Sequence, residues 1–197
     1  MQVLFVRHGE SQANLENVIV SHNGDPDLTD KGREEARRLA QYWAEAPLVA
    51  LYASPLLRAR KTAAAFIRPG VEVTVDDRLH EIGLGRWDGL AIPDIELRDG
   101  ERYRQWKHNP ELAAPDGGER LSQVALRMQA FLSDIRAAGH EGLTVAITHS
   151  DCLKALILMV LDAPWQSAQQ VHLMNTGGVL VQWRDQHWQL MVHPLAP

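Results

Sequence analysis

The sequence predicts an α/β protein with three layers, in which helices cover both faces of a mostly parallel β-sheet that has an antiparallel edge. Short, continuous apolar segments alternate along the chain with amphipathic segments of helical period, and this alternation is typical of a parallel sheet between two helical layers. Near the end of the chain, two β-prone segments flank the polar residues 184–187, which predicts a hairpin and therefore the antiparallel edge.

Six segments have the composition of strands. The first, second and fourth are continuously apolar, as buried strands are, and the third alternates between apolar and polar side chains. The last two form the arms of the predicted hairpin. The segments are residues 3–6, 48–53, 71–75, 143–148, 179–183 and 188–192.

Four helices fill the intervals between these strands. Thr29 is a suitable N-cap for a helix that reaches about residue 46, with apolar residues recurring on one face. Ser54 followed by Pro55 indicates an N-cap and a first helical residue for a helix through residue 66. The other two predicted helices are residues 121–135 and 152–161.

The composition is that of one globular domain, residues 1–197. Of these residues 45% are hydrophobic and 23% are charged, which excludes a disordered or fibrous chain. The net charge of −5 creates no field that attracts nucleic acid or an anionic membrane, so we expect neither as a partner.

The cysteine and histidine content limits the cofactors. The single cysteine, Cys152, excludes an intrachain disulfide and a cysteine-based zinc site, and it suits a reducing compartment. No histidines have the spacing of paired metal ligands, so no metal or other cofactor is expected. The longest apolar run, residues 155–161, is too short to span a bilayer, and the first residues lack the basic start of a signal peptide. We therefore expect a cytoplasmic protein.

Residues 86–118 differ from the rest of the chain. They are polar and mixed in charge, and they carry Trp87, Tyr103 and Trp106 without a clear period. This composition predicts an excursion from the sheet that acts as a lid over a site. A surface loop with one helix is an equally good interpretation.

Basic residues and histidines lie where predicted parallel strands end. Arg7 and His8 follow the first strand, Arg58 lies shortly after the second, and His149 follows the fourth. Open α/β sheets place their sites at this edge. Arg58 lies in the first turn of its helix, where the helix dipole disfavours a cation unless an anion binds there. The alternative is an arginine that lies along the surface or pairs with a carboxylate.

These residues belong to an ordered set of motifs that resembles the histidine phosphatase superfamily, also called phosphoglycerate mutase-like. The similarity covers nearly the whole chain and ends with the hairpin. The motifs are RHGES at residues 7–11 with Asn14, DLT at 27–29 with Gly32, SPLLRARKTA at 54–63, LHEIGLGRWDG at 79–89, GE at 118–119 with Arg127, and TH at 148–149.

The resemblance implies a phosphoglycerate mutase-like fold and five catalytic residues. Phosphoryl transfer needs a nucleophile, a cradle for the phosphoryl oxygens and a proton for the leaving oxygen. By resemblance, His8 is the nucleophile that becomes phosphohistidine, and Glu81 is the general acid. Arg7, Arg58 and His149 then hold the transferring group. The structural alternatives are buried, hydrogen-bonded histidines and a solvated glutamate.

Other positions have a secondary part in the expected site. Ser11, Asn14 and Ser150 are expected to bind phosphate oxygens, although Ser11 and Asn14 are also ordinary loop and capping residues. The family usually has glycine where Ser150 and Asp151 stand. Asp151 is either a partner that orients His149 or an alternative proton donor. Arg120 replaces a small hydroxyl residue and either extends the positive surface or is solvent-exposed.

The motif after Glu81 is similar to the phosphatase branch of the family. We therefore expect a phosphomonoesterase that hydrolyses a small phosphorylated metabolite, while its identity and the oligomeric state stay open, with a homodimer as one option. The alternatives are a cofactor-dependent phosphoglycerate mutase and a catalytically weak module that binds phosphate ligands. The expected contacts to the leaving group are Trp87, Tyr103, Trp106 and Lys107.

Overall fold

The computed structural model describes residues 1–191, and its centre is one six-stranded sheet with the strand order β3-β2-β4-β1-β5-β6. The first four strands in that order are parallel to one another, and β5 is antiparallel to both of its neighbours, β1 and β6. The predicted α/β fold with an antiparallel edge is confirmed. The strands are β1 (Gln2–Arg7), β2 (Leu48–Ala53), β3 (Val73–Val75), β4 (Leu143–Thr148), β5 (Gly178–Arg184) and β6 (His187–Met191).

The predicted strands agree with the observed ones except at their ends. The third strand begins at Val73, because Val71 instead forms an isolated bridge with Arg68 across a tight turn. The predicted second arm of the hairpin includes residue 192, which lies outside the described residues.

Within residues 1–191, six α-helices accompany the sheet. The predicted N-cap Thr29 is confirmed, because its side chain accepts a hydrogen bond from the amide of Gly32. Several predicted ends are wrong. The helix α2 stops at Tyr42, and α3 runs from Leu57 to Ala64 with Leu56 rather than Ser54 as its N-cap. The helix α5 continues to Ala138, and α6 begins at Ser150. The helices are α1 (Gln12–Glu16), α2 (Asp30–Tyr42), α3 (Leu57–Ala64), α4 (Ile92–His108), α5 (Leu121–Ala138) and α6 (Ser150–Val160).

Alternate side chains of β1 enter two different cores, which produces the three layers. Val3 and Phe5 belong to the apolar cluster formed with α5 and α6. Leu4 and Val6 belong to the second cluster, formed with α2 and α3. Because successive side chains of a strand point to opposite faces, β1 is buried on both sides and fixes the chain that follows it.

Residues 86–118 contain α4 and a third, smaller apolar cluster that includes Trp87, Ile95 and Tyr103. The backbone of α4 departs from helical geometry at Asp99, with φ −146° and ψ 31°, which divides the helix in two. The carboxylate of Asp99 accepts a 2.8 Å hydrogen bond from Nε1 of Trp87. The function of this segment as a lid stays a prediction.

In the part of the chain that the structure describes, no helix combines the length and the apolar composition needed to cross a bilayer.

The start of α2 packs directly on the loop that follows β1. A Cβ atom added at Gly32 would lie 2.0 Å from the carbonyl oxygen of Glu10, and one added at Gly9 would lie 2.4 Å from the carbonyl oxygen of Gly32. Only glycine permits this approach of two backbones. The contact holds the segment after β1 against α2.

Substitution of Gly32 by alanine tests this approach. We expect Gly32→Ala to lower the free energy of unfolding by about 1–3 kcal/mol, because the added methyl group forces two backbones apart. Urea denaturation measures the change. Gly100→Ala is the matched control, since its Cβ meets only the end of the Arg104 side chain, at 3.5 Å. Equal stabilities of the two variants would contradict the argument.

Candidate active site

The predicted nucleophile, His8, directly follows β1 at the edge of the sheet where the parallel strands end. The amide of His8 donates to the carbonyl of Thr148, 3.0 Å away at the end of β4. The side-chain amide of Asn175 donates to the carbonyl of His8 at 3.1 Å. The next amide, that of Gly9, donates to Oγ1 of Thr62 at 3.0 Å. These contacts fix the backbone of His8 from three sides.

The hydrogen bonds of the His8 ring define its tautomer. Nδ1 lies 2.7 Å from the carbonyl oxygen of Gly9, so Nδ1 carries the proton and donates it. Nε2 therefore keeps a lone pair, which accepts a 3.2 Å hydrogen bond from Nε of Arg58. Burial, followed by the charge of Arg58, places the pKa of His8 well below its ordinary value. The ring is therefore neutral and its Nε2 keeps an electron pair without a proton, as a nucleophile requires.

Two arginines bring buried positive charge to the site. Nη2 of Arg58 donates to the carbonyl of Val20 at 2.9 Å, and Nη1 of Arg7 donates to the carbonyl of Leu173 at 2.6 Å. Nη1 of Arg58 and Nε of Arg7 are buried without a hydrogen-bond partner among the described residues. A buried guanidinium with unused donors is suited to an anion that brings several acceptor oxygens.

His149 lies beside His8, with 5.1 Å between the ring centroids. It is the N-cap residue of α6, and its Nε2 is 2.8 Å from Oγ of Ser54. Burial is the main cause that lowers the pKa of His149, and the charge of Arg58 adds to it. Nδ1 of His149 is buried and has no partner in the described part of the chain.

Glu81 is a carboxyl group that lines the same cavity as His8. Burial raises its pKa to about 7, and the negative charge of Asp151 contributes in the same direction. The amide of Ile82, which donates to Oε1 at 2.9 Å, and the charge of Arg58 oppose this rise. Glu81 can therefore hold a proton near neutral pH.

One cavity of about 320 Å³ brings most of the predicted site residues together. The predicted residues that line it are Arg7, His8, Ser11, Asn14, Arg58, Glu81, Tyr103, Trp106, Lys107 and Asp151. His149 contacts the His8 ring behind this lining.

Ser11 and Asn14 form the N-terminal cap of α1. Oδ1 of Asn14 accepts from both the amide and the hydroxyl of Ser11, at 3.1 and 3.0 Å. Nδ2 of Asn175 also approaches this oxygen, at 3.3 Å. The two residues thus have a structural function at the cavity wall, and phosphate binding by them stays a prediction.

Three other predicted positions lie elsewhere or have other partners. Ser150 is the first residue of α6 and is absent from the cavity lining. Arg120 is exposed at the start of α5 and lines a separate surface cavity. Trp87 is buried in the cluster of residues 86–118, so the interpretation of Trp87 as a contact to the leaving group is wrong. Its indole fills the core of that segment.

The residues that support the proposed catalytic side chains carry little signal in the sequence. Ser54 has the pattern of a helix cap, but its hydroxyl contacts His149. Asn175 and the carbonyl of Leu173 come from the irregular segment before β5, where no period or spacing marks them. Thr62 lies within the SPLLRARKTA motif, yet only the structure shows its hydrogen bond to the amide of Gly9.

A neutral histidine, two arginines and a carboxyl group with a raised pKa line one cavity, and these are the kinds of group that phosphoryl transfer needs. The chain belongs to the histidine phosphatase superfamily (branch 1), whose family model matches residues 3–194. The membership and the enzyme class expected from the ordered motifs are therefore confirmed.

Relatives and solved structures agree with this family. Phosphoserine phosphatase 1 of Hydrogenobacter thermophilus is 30% identical over 164 residues, which cover 82% of this chain and 76% of the relative. YhfR of Bacillus stearothermophilus matches with a TM-score of 0.92 at 29% identity, over 100% and 98% of the two chains. A mycobacterial glucosyl-3-phosphoglycerate phosphatase, in complex with VO3, has a TM-score of 0.88 at 25% identity, over 99% of each chain. The phosphoglycerate mutase-like fold is confirmed.

Proposed function

We propose that this protein is a phosphomonoesterase that hydrolyses a small phosphorylated metabolite through a phosphohistidine on His8. The observation that carries the proposal is the lone pair on Nε2 of His8, which faces a cavity lined by Arg7 and Arg58. The chain acts as one domain, residues 1–197, in the cytoplasm. Residues 86–118 serve as its lid.

In the first step Nε2 of His8 attacks phosphorus, the N–P bond forms and the P–O bond to the leaving alcohol breaks. In the free protein Arg58 donates to that same Nε2, at 3.2 Å. The guanidinium must turn its proton to a phosphoryl oxygen before attack, so substrate binding itself releases the nucleophile. Arg7 and His149 hold the other phosphoryl oxygens, with Ser11, Asn14 and Ser150 as further donors.

Glu81 supplies the proton that the leaving oxygen needs. Its raised pKa, about 7, keeps the acid form populated at neutral pH. After the alcohol departs, the carboxylate of Glu81 takes a proton from water, whose oxygen attacks phosphorus and breaks the N–P bond. Free phosphate leaves, and Glu81 is again protonated.

The wall opposite the arginines contacts the leaving group. Tyr103, Trp106 and Lys107 line the cavity there, and all three lie on the second half of α4. Aromatic faces with one cation suit a polar metabolite with some apolar surface. The relatives named above differ in their substrates, so this wall is where the identity of the metabolite is decided.

Substitution of the nucleophile tests the proposed function first. We expect wild-type protein to hydrolyse p-nitrophenyl phosphate equally well with and without a chelator, and His8→Ala to lose at least about a thousandfold in turnover. Release of p-nitrophenol measures both. His140→Ala, which removes an exposed histidine, is the control and keeps full activity.

Three other results have distinct meanings. Turnover retained by His8→Ala contradicts the proposal. Turnover of phosphoglycerate that depends on a bisphosphate primer indicates a mutase. Phosphate binding by folded wild-type protein without any turnover indicates a binding module.

Substitution of Glu81 separates acid catalysis from binding. We expect Glu81→Gln to slow hydrolysis of an alkyl phosphate by about 10²–10⁴, and that of p-nitrophenyl phosphate much less, since p-nitrophenolate leaves without a proton. The ratio of kcat/KM for the two substrates is the measurement. Equal slowing of both substrates argues against Glu81 as the acid.

The charges of Asp151 and Lys154 influence the pKa of Glu81. Their ion pair, at 2.8 Å, lies at the start of α6, and the Asp151 charge raises the pKa of Glu81. Because activity with alkyl phosphates falls as Glu81 loses its proton, the alkaline limb of the pH profile reports this pKa. We expect Asp151→Asn to move that limb to lower pH and Lys154→Met to higher pH.

These opposite shifts distinguish charge from packing. Each variant replaces its residue with a side chain of similar size, so a common loss of packing moves both profiles alike or neither. If the alkaline limb of the pH profile is unchanged in both variants, the charge of Asp151 does not determine the pKa of Glu81. A collapse of kcat in Asp151→Asn at every pH supports instead its use as a proton donor.

A further inference from the structure

The loop between α1 and α2, residues 17–29, forms the part of the cavity wall that holds Arg58. Val18, Ile19 and Val20 line the cavity. The carbonyl oxygen of Val20 accepts the 2.9 Å hydrogen bond from Nη2 of Arg58. Since Nε of Arg58 contacts His8, this carbonyl fixes the remaining rotation of the guanidinium and therefore the direction of its unpaired Nη1.

The carboxylate of Asp88 binds the three amides that follow this carbonyl. Oδ1 accepts from the amide of Ser21 at 2.6 Å, and Oδ2 accepts from those of His22 and Asn23, both at 2.7 Å. Burial raises the pKa of Asp88, but these hydrogen bonds outweigh it and hold the pKa below its ordinary value. Because one charged carboxylate accepts hydrogen bonds from three consecutive amides, it restrains the conformation of the loop.

We propose that Asp88 is a positioning residue for the phosphate clamp: by binding amides 21–23 it holds the Val20 carbonyl, and through that carbonyl it orients Arg58. The proposal rests on the assignment of Arg58 to phosphate in the proposed function. Asp88 itself is absent from the residues that line the cavity, so its hydrogen bonds reach Arg58 through the loop, while its negative charge also acts on the guanidinium directly and favours the charged form.

The same contact connects the phosphate end of the site with α4. Beside Asp88, the amide of Gly89 donates to the carbonyl of Ile19 at 2.8 Å, and the amide of Ile19 donates to the carbonyl of Leu90 at 3.0 Å. The amide of Ile92, the first residue of α4, donates to the carbonyl of Asn17 at 3.1 Å. The loop and the start of α4 therefore form one hydrogen-bonded unit, with Asp88 at its end nearest Arg58.

The first experiment replaces the carboxylate by an amide of the same size. Asn has one acceptor oxygen, and its NH₂ group faces a backbone N–H, so Asp88→Asn loses at least one of the three bonds. We expect the dissociation constant of inorganic phosphate, from calorimetry, to rise about tenfold, and kcat for p-nitrophenyl phosphate to fall. Asp94→Asn is the control, because this exposed residue carries the same charge on the same segment.

A double-mutant cycle tests whether the effect passes through Arg58. If it does, Asp88→Asn weakens phosphate binding strongly in wild-type protein and by less than twofold in Arg58→Ala, since no clamp is left to orient. Asp88→Glu, which keeps a carboxylate, is expected to recover most of the lost affinity. A general loss of structure would instead lower affinity equally in both backgrounds.

Two results overturn the proposal: unchanged phosphate affinity in Asp88→Asn, and an equal loss on top of Arg58→Ala. Calorimetry requires no turnover, so the cycle stays decisive even if wild-type protein hydrolyses nothing. In that case the proposed function fails while phosphate binding by the clamp still reports on Asp88. Thermal denaturation of each variant confirms that the measured protein is folded.

Discussion

The hydrogen bond between Arg58 and His8 is the interaction on which the site depends. It places a cation that is 97% buried against a histidine, and burial of an arginine without a carboxylate partner is unfavourable. The surrounding structure must hold this pair in place, and the carbonyl of Val20 and the rigid end of β1 do so. An anion bound at Arg58 would relieve this unfavourable burial. In the proposed function, the affinity for phosphate is therefore prepared during folding, before any ligand is present.

The same burial shifts the pKa values of His8 and Glu81 in opposite directions. A low-dielectric environment disfavours charge on any residue, so it lowers the pKa of His8 and raises that of Glu81. The positive charge of Arg58 strengthens the first effect and opposes the second. The negative charge of Asp151 raises the pKa of Glu81 and so counteracts the effect of Arg58. At one cavity the protein thus combines a histidine without a proton and a carboxyl group whose acid form is still populated near neutral pH, which is the combination that the first step of phosphoryl transfer needs.

Sequence patterns predicted the central strands β1 and β4 because both are buried and therefore apolar along their length. The positions of Arg7, His8 and Arg58 at strand ends predicted that they meet at one edge, where one cavity now contains them. Glu81 was expected only from the resemblance of its motif to the family. They could not predict Ser54 as a partner of His149, because a hydroxyl before a proline also has the composition of a helix cap. Positions whose function depends on contacts distant in sequence, such as Asn175, leave no periodic signal.

The break in α4 at Asp99 separates two duties within one helix. The first half is bonded to the loop that holds Arg58, while the second half carries Tyr103, Trp106 and Lys107, which line the cavity and which we propose contact the leaving group. Changes beyond the break can therefore reshape the pocket for a new alcohol without disturbing the groups that act on phosphorus. Such a division allows the substrate repertoire to diversify over evolution while the chemical step is inherited unaltered.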